Sequence, residues 1–234
     1  MRSNRFCVAV FAFGIFCSLD LNGVSANNGE IAKIKEPELA QQLRARVDAD
    51  QAARKEWVEF GTSHKAFGVD LAELDPLIAE QFTSLTNRME GEDKKNRIWL
   101  KDVIQKHGWP GKSLVGTDGA KNAWLLVQHA DQDRDFQRAC LKKMEELPQG
   151  DVSPKDLAYL TDRILSGTSQ KQKYGTQAFL ENGKVTLYPI DDEEHVDERR
   201  KAMGLGTLAE SLAQLEKQYG VSKPPEPANG NKAP

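Results

Sequence analysis

The segment from Ala120 to Ala130 constrains this chain more than any other. Read as a helix, it places Ala123, Trp124, Leu125, Leu126, Val127 and Ala130 on every side and leaves no polar face. A helix that is apolar all round is stable only when other elements wrap it. The rest of the chain must therefore supply helices that pack around this one.

Such helices can be read on both sides of it. Glu36 to Phe60 carries Leu39, Leu43, Val47 and Trp57 at helical spacing. Gly61 to Asp70 breaks that pattern, and Leu71 to Met89 resumes it with Pro76 in the first turns. Gly91 reads as an interruption, after which Asp93 is placed to cap a further helix through Ile98, Leu100, Val103 and Ile104. That helix should stop at His107-Gly108, before Trp109-Pro110. Gly111 to Gly119 reads as a glycine-rich connection into the buried helix. Arg134 to Leu147 is amphipathic. Ser153-Pro154-Lys155-Asp156 sets an N-cap serine, a proline at N1 and an acid at N3, for a helix that runs to Ser166 and stops at Gly167.

The character then changes. Beta-formers from Thr176 to Leu180 and from Val185 to Pro189 flank Glu181-Asn182-Gly183-Lys184, and Asn-Gly is the favoured two-residue hairpin turn. Two strands alone are marginal in water, so the hairpin must pack on the helices. A short helix from Val196 to Met203 should end at Gly204, and a last one should span Leu208 to Tyr219. The expected fold is mainly α: a single helical domain over residues 36–220 with one β-hairpin near 176–189 packed on it. Residues 27–35 read as a linker, and residues 221–234, rich in Pro, Asn and Lys, as a disordered tail.

Residues 1–26 read as a cleavable signal peptide. Arg2 and Arg5 precede an apolar run from Phe6 to Leu19, which at about 14 residues is short of the roughly 20 that span a bilayer. Val24-Ser25-Ala26 offers small residues where signal peptidase cuts, which places cleavage after Ala26 and the product in the periplasm or outside the cell. Cys17 follows Phe16 rather than a small residue, which argues against a lipid anchor. Cleavage would leave Cys140 as the one remaining cysteine. Stability must then come from packing rather than from a disulfide. Cys140 shares an apolar face with Phe136 and Met144 and reads as a buried, inert thiol.

Composition excludes several functions. The chain has 32 basic against 35 acidic residues, and without Arg2, Arg5 and Asp20 these become 30 and 34, a formal charge of −4. The charges are interspersed, and no basic stripe with interleaved aromatics marks a nucleic-acid partner. Beyond Ala26 no run approaches membrane length, so stable membrane insertion after cleavage is not expected. His64, His107, His129 and His195 lack metal-ligand spacing, and no cofactor or metal is expected. Asp131-Gln132-Asp133-Arg134-Asp135 fails as a calcium loop, with Phe136 in place of the turn glycine and Lys142 in place of the bidentate glutamate. Gly111-Lys112-Ser113 lacks the earlier glycine of a phosphate loop, because Lys106 stands there.

Polar residues forced inward are the candidates that remain. Gln128 and His129 end the buried helix, and burying an amide and an imidazole costs several kcal/mol unless each finds a hydrogen-bond partner. Tyr159, Asp162, Arg163 and Ser166 share the helix face opposite Leu157, Leu160 and Ile164. That face is either solvated or covered by the hairpin as part of a polar network. Arg199 and Arg200 are placed to clamp an anion or to pair with Asp197 and Glu198.

One ordered series runs through these positions. It comprises Asp50-Gln51-Ala52-Ala53-Arg54, Gly108-Trp109-Pro110, Gln128-His129-Ala130-Asp131, Tyr159-Leu160-Thr161-Asp162-Arg163, Gln172-Lys173-Tyr174-Gly175-Thr176-Gln177, and Arg199-Arg200 followed by Gly204-Leu205. As a set it resembles an uncharacterised, often exported bacterial family classed only as a domain of unknown function, and the likeness reaches from the first helix to Tyr219. The resemblance implies no reaction. It does imply that the polar motif residues gather where the helices meet the hairpin. There His129 and Asp162 are the candidate catalytic pair, and Gln128, Arg163, Tyr174, Gln177 and Arg199 the candidate ligand-binding residues. Two readings follow. One is a pocket that binds a small molecule or supports hydrolysis. The other is a non-catalytic protein that binds a cell-envelope partner and uses the same residues as a structural network.

Overall fold

The computed structural model describes residues 34–181 and 184–218. The expected signal peptide, nearly all of the linker, the Asn182-Gly183 turn and the tail lie outside them. Among the described residues the fold is mainly α, with seven helices and one antiparallel hairpin.

Helix α1 (Pro37–Ser63) starts on a proline at N1 and turns Leu39, Leu43 and Val47 inward. Helix α2 spans Pro76–His107 without a break. The expected interruption at Gly91 is therefore a correction. A glycine inside a helix costs only about 1 kcal/mol, which packing on both sides outweighs. The start differs too. Leu71–Glu73 forms a separate 3-10 turn, and α2 begins at Pro76, with the Asp75 side chain accepting from the Leu77 amide at 2.9 Å.

The Gly111–Gly119 connection is also corrected. Helix α3 covers Lys112–Gln128 and takes up most of it, with a kink at Gly116. Gly116 sits at φ 74°, ψ 173°, backbone that a residue with a Cβ adopts only under strain. The kink lets a first turn lie against α1, where the Glu36 amide donates to the Leu114 carbonyl at 2.9 Å. Beyond it the apolar stretch runs through the centre of the fold, as its composition requires. Leu125, Leu126 and Val127 are all buried, packed with Leu43 and Val47 of α1, Leu100 and Ile104 of α2, and Leu160 and Ile164 from farther along the chain.

Helix α4 (Arg134–Glu145) adds Phe136, Cys140 and Met144 to this core, and α5 (Pro154–Gly167) adds Leu160 and Ile164. Ser153 occupies the α5 N-cap but makes no side-chain capping bond. A second cluster joins Trp57, Phe67, Phe82 and Met89. It depends on Gly61, because a Cβ there would lie 2.4 Å from the Phe67 ring. Strands β1 (Ala178–Glu181) and β2 (Lys184–Leu187) pair Ala178 with Leu187 and Glu181 with Lys184. The strands are shorter than the expected arms. Their flanks are held instead by Gln172, whose side chain bonds the amide and carbonyl of Gln177 and the carbonyl of Tyr188. Helices α6 (Val196–Ala202) and α7 (Leu208–Gln218) close the fold. Among the described residues no helix is long and apolar enough to cross a membrane.

Candidate functional site

The site is organised around His129, which ends α3. On its inner side, α1 presents Asp50 and Arg54 one turn apart, and α2 presents Met89 and Asp93 one turn apart. The His129 Nδ1 lies 2.9 Å from an Asp50 carboxylate oxygen and 2.9 Å from the Arg54 Nε. Arg54 also reaches both Asp50 oxygens at 3.3 Å, the Met89 sulfur at 3.4 Å, and Asp93. Gln51 donates to Asp50 at 2.8 Å. Asp50, Arg54, Met89 and His129 are buried, and Gln51 and Asp93 are half-buried.

Burying an ion costs several kcal/mol, and good pairing geometry is what repays it. Two carboxylates share one guanidinium here, so their environments push them apart. Burial opposes the Asp50 charge, but His129 and Arg54 outweigh it and hold the carboxyl well below the usual range. Asp93 goes the other way. Burial, with Asp50 beside it, pushes its carboxyl up to about 7 despite Arg54. His129 is pushed down, first by burial and then by the Arg54 charge, with Asp50 only partly compensating. The imidazole is thus neutral at ordinary pH. Its Nδ1 faces an acceptor in Asp50 and a donor in Arg54, and the tautomer decides which bond forms. Asp50, Asp93 and His129 offer three ligand atoms within 4.8 Å of one another, a spacing that suits a metal ion. The Arg54 guanidinium bonds to all three side chains, so a cation from the chain itself already fills that position.

On its outer side His129 lines a cleft of about 620 Å³, within the usual range for a small-molecule site. Gln128, Arg163 and Gln177 line the same cleft. The Gln128 amide, with its oxygen turned toward them, accepts from the Trp124 indole at 3.1 Å and from the Leu160 amide at 3.0 Å. Arg163 makes a two-pronged pair with Asp131, which also accepts from Arg134 at 2.8 Å, and donates to Gln177 at 3.3 Å. Of the seven sequence candidates, the structure brings these four together.

The other three stand behind the cleft wall, not in it. Asp162 accepts from the amides of Lys173, Tyr174 and Thr176 and from the Thr176 hydroxyl, at 2.7 to 3.1 Å. It latches the loop that leads into the hairpin. Tyr174 enters through its backbone, donating to Asp162 and accepting from Arg200 at 2.6 Å. Arg199 donates to the carbonyls of Lys173, Asp191 and Asp192 at 2.6 to 2.8 Å, a clamp on the chain rather than on a ligand. The α5 polar face is covered, not solvated: Asp162 and Arg163 are both buried.

Sequence reasoning missed the inner cluster and several cleft residues. Asp50 and Arg54 continue the buried stripe Leu43, Val47, Trp57 at alternating spacings of three and four, and that signal was present. Asp93 continues Phe82, Met89, Asn96, Leu100 in the same way, but the preceding Gly91 gives it the look of a helix cap. Tyr159 and Arg200, both singled out in the sequence, line the cleft too, whereas Lys121, Lys155, Asp156 and Glu210 come from three separate segments and carry no such signal. Arg200 is fully buried. It donates to the carbonyls of Tyr174 and Gly206 and to the Ser211 hydroxyl, and its nearest acid, Asp197, is 3.9 Å away. Lys121, Lys155, Arg163 and Arg200 line the cleft with Asp156 and Glu210; Arg163 is paired with Asp131 and Arg200 lies 3.9 Å from Asp197, which leaves Lys121 and Lys155 as the cations with no carboxylate within ion-pairing distance among the described residues.

No curated protein and no solved structure matches the chain. A family model does match, over residues 37–223, which takes in every described helix, the hairpin and both sides of the His129 site. The chain belongs to the family of unknown function DUF6624.

Proposed function

We propose that this is an exported protein whose cleft binds a small anionic molecule, with His129 as a proton acceptor for hydrolysis. The observation that carries the reading is the double placement of His129. It lines the cleft and has its Nδ1 2.9 Å from buried Asp50. A neutral imidazole oriented by a carboxylate is the arrangement a general base needs. Export rests on the basic start, the short apolar run and the Val24-Ser25-Ala26 site.

The chemistry balances without a cofactor. A water in the cleft gives a proton to the Nε2 of His129, and its oxygen bonds to the electrophilic carbon of the substrate. The bond from that carbon to the leaving atom breaks, and the imidazolium returns the proton to the leaving atom. Asp50 stabilises the transient imidazolium, and Lys121 and Lys155 hold the anionic end of the substrate.

The test is a thermal-shift screen of anionic metabolites and envelope fragments, followed by hydrolysis assays on the compounds that bind. Wild-type protein should be stabilised by at least one anionic compound and should hydrolyse it or its ester. His129→Gln should bind it but lose turnover at least about a hundredfold. Equal turnover in the two proteins, or no stabilising compound, contradicts the reading.

A further inference from the structure

A second cleft of about 290 Å³ adjoins the first. Lys121, Trp124, Lys155 and Asp156 line both, so these four side chains form the junction. The second cleft is otherwise mostly apolar, walled by Trp109, Ala120, Met144 and Val152. The junction holds charge that the fold does not use. The Asp156 carboxylate makes no hydrogen bond or ion pair among the described residues, and neither lysine has a carboxylate within ion-pairing distance. Only the Asp156 backbone is engaged, its carbonyl accepting from the Trp124 indole at 2.9 Å.

A half-buried carboxylate with no partner costs free energy that a ligand donor would recover. Burial pushes this carboxyl up to about 6 even though Lys121, Lys112 and Lys155 oppose the shift. The unpaired lysines call for an anion within reach of the same point. The apolar walls call for a ring or alkyl group on the far side.

We infer that the two clefts form one extended site for an N-acylated amino acid. The acyl or aryl group would sit between Trp109, Met144 and Val152, the amide N–H would donate to Asp156, and the carboxylate would lie against Lys121 and Lys155. This rests on the reading of the His129 cleft as a ligand site, and it names the substrate class. The amide carbon would be the electrophile, and the products a carboxylic acid and a free amino acid.

Titration calorimetry with benzoylglycine and acetylglycine tests it, using wild-type protein, Asp156→Asn and Val152→Trp, each checked for an unchanged helical circular-dichroism spectrum. Benzoylglycine should bind wild-type protein at least about tenfold more tightly than acetylglycine. Val152→Trp, which fills the second cleft, should erase that difference, chiefly by weakening benzoylglycine. Asp156→Asn should weaken both ligands about tenfold. Equal affinities in wild-type protein, or a preference that survives Val152→Trp, overturn the inference. If acetylglycine binds and benzoylglycine gains nothing, the His129 cleft reading stands while the extended site does not. If neither binds, the substrate class is wrong, and the metabolite screen judges the cleft independently.

Discussion

The Nδ1 of His129 lies 2.9 Å from an Asp50 carboxylate oxygen, although the two residues are 79 positions apart in the chain. That contact joins the end of the central helix to the first helix, and Arg54 makes it a three-way arrangement. Its removal should be felt first as stability. Asp50→Ala strands the Arg54 guanidinium beside one carboxyl that is pushed up to about 7. Breaking a buried pair in this way costs about 3–5 kcal/mol. Urea unfolding of the variant should show a loss of that size, against less than about 1 kcal/mol for Asp48→Ala, which removes an exposed pair with Arg44.

Asp93 gives a pH dependence with a definite sign. Its folded carboxyl titrates at about 7, above its ordinary value of 3.8, so folding favours the protonated form. The stability this contributes is fully present below about pH 4 and is lost as pH rises toward 7. Asp93→Asn mimics the protonated form and cannot titrate. The stability of the variant relative to wild type should therefore rise between pH 5 and pH 8, as read from urea midpoints. A difference that stays constant over that range would show that Asp93 does not titrate there.

These charges also show how much of the site could be read from the sequence. The all-apolar segment ending in Gln128-His129 announced a central helix and a buried imidazole, and the structure places both there. The partners were legible in principle. Asp50, Arg54 and Asp93 stand at core spacing on two long helices, but Gly91 suggested a helix start just where Asp93 turns inward. Asp162 was legible as an inward polar residue but not as a latch, because the amides it binds belong to a loop whose path no periodicity reveals. The cleft was legible in part, through Gln128, His129, Arg163 and Gln177. Its other walls join Lys121, Lys155, Asp156 and Glu210 across the second half of the chain, through contacts with no local signature.

The Asp162 latch is testable by proteolysis. The carboxylate accepts three backbone amides and one hydroxyl, and hydrogen bonds to a charged group contribute about 1.5–3 kcal/mol each. Asp162→Ala should destabilise the fold by at least about 3 kcal/mol. It should also open Lys171 and Lys173 to trypsin under native conditions. Cleavage at wild-type rates would mean that the loop is held by Arg199 and Gln172 alone.

Cys140 should be chemically silent. It is buried, and burial pushes its thiol up to about 12. The thiolate is the reactive form, so a disulfide reagent should modify Cys140 only as fast as the protein unfolds. Fast labelling of the native chain would place the thiol at the surface.

The proposed chemistry needs a neutral His129 that both contacts Asp50 and lines the cleft. Nitrogen-15 NMR of its imidazole from pH 5 to pH 8 tests this most directly. The structure predicts one protonated and one unprotonated ring nitrogen at pH 6.5 and above, because burial and Arg54 press the group downward. Conversion to an imidazolium at or above pH 6.5 would contradict it.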